Sequence, residues 1–157
     1  MSSLQQDIPP IEQLLPHAAP MILIDRVVAV DEQTLQAELE IRPDSLFHQG
    51  SGVGAWVGIE YMAQGIAAWA GYQALRQGGS VKIGFLLGAR RYQCAVPEFA
   101  TGTRLSVSVQ LLLQTDNGLG SFECRITDLA TQQELAQATV SVFQPHDATH
   151  YLQEGMA

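Results

Sequence analysis

Positive charge is scarce in this chain: eight Lys plus Arg stand against sixteen Asp plus Glu, a formal net charge of -8. A field of that sign repels phosphate backbones and acidic headgroups, so neither nucleic acid nor a membrane surface is the expected partner. Charge of either sign is sparse, at 15% of residues against 46% hydrophobic. That balance excludes disorder and favours a large core or an oligomer interface. The two cysteines, Cys94 and Cys124, have no CxxC or Cys/His spacing around them. They read as reduced core thiols rather than metal ligands, as in a cytosolic protein. The opening MSSLQQDIPP lacks the basic residue and apolar run of a secretory signal, which makes the cytoplasm the expected compartment. The apolar stretch from Val53 to Leu75 holds Glu60, Gln64, Gln73 and several glycines. A carboxylate in mid-span is costly in lipid, so a helix buried inside protein is expected there.

A length of 157 residues suits one domain, spanning 1–157 with a loose tail from about Asp147. Prolines 9 and 10 introduce a short helix from Ile11 to Leu15, stopped by Pro16 and Pro20. Ile24 to Val30 and Leu35 to Ile41 read as strands around a polar Asp31-Glu32-Gln33 turn. In the second of these Leu35, Ala37, Leu39 and Ile41 alternate with polar residues, so one face is wet. A loop with Gly50, Gly52 and Gly54 leads into a long helix from about Val53 to Arg76, closed by Gly78-Gly79. Four strands follow, Lys82 to Cys94, Arg104 to Gln114, Gly120 to Asp128 and Glu134 to Gln144. Long strands joined by hairpins predict an α+β fold in which an antiparallel sheet wraps around a long central helix. One layer of strands covers only one side of a helix that is apolar nearly all round. The other side must meet a partner or a second copy.

Apart from two tyrosines, Glu60 is the only ionisable group between Val53 and Leu75, in the helical row Trp56, Glu60, Gln64. Burial there favours the neutral carboxyl and makes it a candidate general acid; the competing reading is a structural acid held by a hydrogen bond or ion pair. The glycine-rich entry, with the amides of Gly54 and Ala55, is a candidate oxyanion site at the helix start, or simply turn geometry. His48 precedes this loop and is either a base or a surface residue. His17, between Pro16 and Pro20, fits packing or a backbone hydrogen bond, and His146 and His150 fall in the tail. Arg90 and Arg91, with Lys82 and Arg104 on neighbouring strands, make half of all the basic residues, a local patch for an acidic partner or an ordinary wet strand face.

LLPHAAPMILIDRV from Leu14 resembles the opening of the β-hydroxyacyl-acyl carrier protein dehydratases, and IEYMAQ from Ile59 resembles the start of their central helix. GARRY from Gly88, followed by Val96-Pro97, is similar to their next strand. WVGIEYMAQ, GFLLG, NGLG and VFQP together look most like the dehydratase-like proteins of aryl polyene pathways. The resemblance implies a hot-dog fold, either a homodimer or a heterodimer with a related hot-dog subunit, and acyl-phosphopantetheine delivered by an acyl carrier protein docking at Arg90 and Arg91. It implies dehydration of a 3-hydroxyacyl thioester to the trans-2-enoyl thioester in fatty acid or polyene synthesis, with no cofactor and no metal. Glu60 falls on the family's proton-donating carboxylate and Gln64 on its helix neighbour. His48 falls near its basic histidine, in Phe47-His48-Gln49-Gly50 where the family has Gly-His-Phe-x-Gly-x-Pro. His17 is kept as a supporting residue. Two other functions stay open: a hot-dog thioesterase in which Glu60 activates water, and a non-catalytic or half-catalytic subunit working with a related partner.

Overall fold

The computed structural model describes residues 7–17, 21–82 and 84–145. His146, His150 and the expected tail lie outside them. Pro10 opens α1 (Ile11–Leu14), whose two ends, Ile11 and Leu14, are buried. Leu15 is already extended, so the helix stops one residue earlier than expected. The strands are β1 (Arg26–Val30), β2 (Thr34–Glu40), β3 (His48–Gln49) and β4 (Gly52–Gly54). A 3-10 turn, Ala55–Val57, then leads into α2 (Gly58–Arg76). The rest is strand: β5 (Phe85–Cys94), β6 (Glu98–Ala100), β7 (Arg104–Gln114), β8 (Leu119–Asp128) and β9 (Glu134–Phe143).

Six strands form one antiparallel sheet in the order β1-β2-β7-β8-β9-β5, and β3-β4-β6 form a second, small one. The period-two pattern of β2 sends Leu35, Ala37 and Leu39 into the core, where they are joined by Leu105, Val107 and Val109 of β7 and by Phe122, Cys124 and Ile126 of β8. Cys124 is thus the core thiol the sequence implied, and Cys94 is half-buried. α2 packs across β2, β7, β8 and β9 and meets α1. Among the described residues, no helix is long and apolar enough to cross a membrane.

The long helix starts later than its apolar run. Val53 pairs with Phe99 in the small sheet and is fully buried, so residues 52–54 spend their backbone groups on a strand ladder. Two attachments fix the far half of α2. The Asp31 carbonyl accepts from Trp69 Nε1 at 3.2 Å and from Gln73 Nε2 at 2.7 Å. Leu14 of α1 lies so close to Gly71 that a Cβ there would stand 2.1 Å from the Leu14 carbonyl oxygen. Only glycine allows that approach.

Candidate active site

α2 buries Tyr61, Met62, Ile66, Ala68 and Trp69. Its opposite strip, Glu60, Ala63, Ala67 and Ala70, stays partly open. These four recur at three- and four-residue steps, so they form one row about 15 Å long at 1.5 Å per residue. The row is the floor of a groove of about 270 Å³ whose walls include Phe85 and Leu86 of β5, Phe122 of β8 and Val142 of β9. At its far end, past Trp69 and Ala70, it meets a wider polar basin of about 600 Å³ bordered by Gln73, Gln77 and Arg76. Small side chains on the floor and apolar walls leave room for an extended hydrocarbon chain.

Glu60 and His17 line the same groove. Glu60 is exposed, which corrects the expectation of a desolvated carboxylate: among the described residues, no element covers the start of the row. Among the described residues, no ion pair or hydrogen bond holds its carboxylate, so the structural reading of Glu60 loses its support. His17 is half-buried, and burial pushes its imidazole below the ordinary 6.5, with the Glu60 charge pulling the other way. Its Nδ1 is shielded from water and has no hydrogen-bond partner. An unsatisfied buried polar atom costs about 1–3 kcal/mol, so the packing or backbone role expected for His17 does not account for it.

α2 holds the chain at described positions before and after His17. Leu14 rests on Gly71, and beyond His17 the buried Gln64 grips the chain twice. Its Nε2 donates to the Met21 carbonyl at 2.6 Å and its Oε1 accepts from the Leu23 amide at 2.8 Å. Gln64 therefore holds the loop rather than facing a substrate. The sequence showed it as a helix neighbour of Glu60, but its bond to a residue 43 positions away is a tertiary fact.

The other candidates lie elsewhere. His48 belongs to β3 of the small sheet, with Nε2 2.7 Å from Thr101 Oγ1, and it does not line the Glu60 groove of its own chain. Because the Thr101 hydroxyl donates to the Ser51 carbonyl, the His48 Nε2 donates to Thr101. The Ala55 amide donates to the Pro97 carbonyl at 3.0 Å, and the Ala55 carbonyl accepts from Tyr92 Oη. Ala55 thus has no spare amide for an oxyanion, and Gly54 sits opposite Glu98 in the β4–β6 ladder. Tyr92 is packed there because Gly58 has no Cβ, which would lie 2.3 Å from its hydroxyl. Arg90 and Arg91 are exposed on β5, at a bulge where Arg91 takes φ 57°. Arg104 leaves their patch: β8 and β9 separate its strand from β5, and it faces Glu38 at 3.7 Å. Lys82 borders the groove instead. Among the described residues, no three His, Cys, Asp or Glu side chains gather as metal ligands.

The model of one family, ApeP-like (ApeP dehydratase), matches residues 9–153. The chain belongs to the ApeP-like dehydratase family. The solved structure of the dehydratase heterocomplex ApeI:P from Xenorhabdus doucetiae is similar to this ApeP-like chain at 30% identity and TM-score 0.85, covering 94% of this chain and 97% of that one. More distant structures share the fold alone. PaaI of the E. coli phenylacetic acid degradation operon matches at 13% identity and TM-score 0.57, over 74% of this chain and 80% of its own. A hypothetical thioesterase from Streptococcus pneumoniae, solved with coenzyme A, matches at 12% and 0.56, over 76% and 84%. The fold is the hot-dog fold, as the sequence resemblance implied. No curated protein matches the ApeP-like chain.

The state of His17 is directly measurable. Because its folded pKa lies below the unfolded value, the unfolded chain binds the proton first. His17 therefore destabilises the ApeP-like fold as pH falls through 6.5, and contributes nothing above it. Nitrogen-detected NMR should place the His17 midpoint below 6.5. A midpoint at or above that value would mean that the ring is solvated or ion-paired in solution.

Proposed function

We propose that this chain is a 3-hydroxyacyl-[acyl carrier protein] dehydratase that forms a trans-2-enoyl thioester in fatty acid or polyene synthesis. The observation that carries this reading is the groove itself: a carboxylate unpaired among the described residues and an imidazole whose Nδ1 has no hydrogen-bond partner, beside an apolar floor in a dehydratase-family chain. The acyl chain lies along Ala63, Ala67 and Ala70 with its 3-hydroxyl at Glu60, which donates the proton that turns the hydroxyl into a leaving water. The family supports dehydration over the thioesterase alternative, and the unpaired carboxylate supports a catalytic chain over a merely structural subunit.

The groove needs a cover, because Glu60 is open to solvent on one side. A related hot-dog subunit supplies it, a reading supported by the similar chain's place in the ApeI:P heterocomplex. β5 offers the joint: it ends the six-stranded sheet, contains no fully buried residue and exposes Leu87 at 56%. An open edge with bare leucines is unstable alone and is satisfied by a second chain.

The carrier protein docks at Arg90 and Arg91, which no carboxylate neutralises among the described residues. Two variants test these assignments on a carrier-bound 3-hydroxyacyl substrate. Glu60→Gln keeps the volume of the side chain and should lower turnover about a hundredfold or more, the scale of a lost general acid. Wild-type turnover in a folded Glu60→Gln protein would remove the carboxylate from the reaction. Reversing Arg90 and Arg91 to Glu should raise KM for the carrier-bound substrate and spare a small pantetheine thioester. Equal loss on both substrates would make the arginines structural.

A further inference from the structure

We propose that a notch between Phe47, Trp56 and Glu98 is a cation site, and that it takes an arginine or lysine side chain of the hot-dog subunit that covers the Glu60 groove. The inference rests on the related-subunit reading and adds to it the chemistry and the place of one contact.

The notch is separate from the groove. It holds about 390 Å³ and is lined by Phe47, Trp56, Pro97 and Glu98 together with Gly52 and Gly54 of β4. Trp56 is 63% exposed and Phe47 39%, and the two rings meet edge to face with centroids 5.3 Å apart. Large aromatic rings held together in water mark an interaction site. Both rings are placed by unusual backbone. The Trp56 indole lies so close to Gly54 that a Cβ there would stand 2.6 Å from its Nε1. Phe47 has φ 70°, a left-handed conformation that glycine adopts freely and a bulky residue seldom does. A phenyl ring kept at a strained position points to a use for the ring.

Glu98 sets the charge of the occupant. It is half-buried on β6, accepts a hydrogen bond from Ser51 Oγ, and has no cation paired with it among the described residues. No Lys or Arg lines the notch. A carboxylate and the negative faces of two aromatic rings pull in the same direction, toward a cation. A guanidinium suits the place best, because its plane stacks on an indole while its N–H groups donate to a carboxylate. The source follows from position. Trp56 stands four residues before Glu60, about 6 Å along the axis at 1.5 Å per residue, so a chain that covers the start of the Glu60 row reaches the indole. A net charge of -8 favours a partner that brings positive charge to the contact.

The test begins with the cation alone. Nα-acetyl-arginine methylamide is titrated into the full-length protein while its two indole N–H signals are followed by NMR, with Trp69, bonded to the Asp31 carbonyl, as the internal control. The Trp56 signal should shift saturably, and the neutral citrulline analogue should leave it in place. Glu98→Gln, with unchanged melting, should weaken the binding at least about fivefold. A silent Trp56 signal, an equal response to citrulline, or full binding in folded Glu98→Gln overturns the cation site. The source is tested by calorimetry with the purified ApeI component of the Xenorhabdus doucetiae heterocomplex. Folded Trp56→Leu and Glu98→Gln should each bind it at least about tenfold more weakly than wild type. Wild-type affinity in both variants overturns the assignment to the covering subunit. If wild type itself does not bind ApeI, the related-subunit reading has failed, an outcome that the arginine titration, which needs no partner, keeps apart from failure of the cation site.

Discussion

One helix has more apolar surface than one sheet can cover, and the rest of this structure follows from that shortfall. The six-stranded sheet and α1 bury Tyr61, Met62, Ile66 and Trp69 of α2, and leave the row from Glu60 to Ala70 partly open. Large side chains on that row would be an aggregation hazard, whereas alanines leave a groove. The same row places a carboxylate at the groove's end. The helix is thus both the centre of the core and the floor of the site.

A second constraint places a histidine at the edge of the groove. α1 can lie against α2 only because residue 71 is glycine, and His17, three residues beyond α1, lines the groove with Glu60. Gln64 holds Met21 and Leu23 from inside the helix, with both ends of its amide used. The buried amide is costly to strand without partners, so its two bonds fix the loop strongly. His48, by contrast, is fixed to the small sheet through Thr101.

Much of the architecture was legible in the residues. The alternation in β2, the turn chemistry and the long apolar segment predict the sheet and its helix, and the Ala63, Ala67, Ala70 spacing can be read directly. The helix entry was not legible: Gly52–Gly54 and Glu98–Ala100 are three-residue strands, too short to show a period of two, and the first lies in a run that looks like the start of the helix. Glu60 was recognisable as a candidate from its isolation among apolar residues. Its exposure was not, because burial along a helix depends on which strip the sheet covers. That His17 shares a groove with Glu60 was not legible, because flanking prolines suggest a rigid packing loop and its closeness to Glu60 depends on a helix contact far along the chain. The amide of Ala55 looks available in the sequence, but Pro97, on an adjoining segment, occupies it.

Everything turns on what the groove does to a thioester. The most direct measurement follows a carrier-bound 3-hydroxyacyl thioester with the purified protein, recording enoyl thioester absorbance and free thiol in the same reaction. A carboxyl beside an imidazole over an apolar floor predicts enoyl product with the thioester intact. Free thiol without enoyl product would contradict it and show that the groove activates water instead.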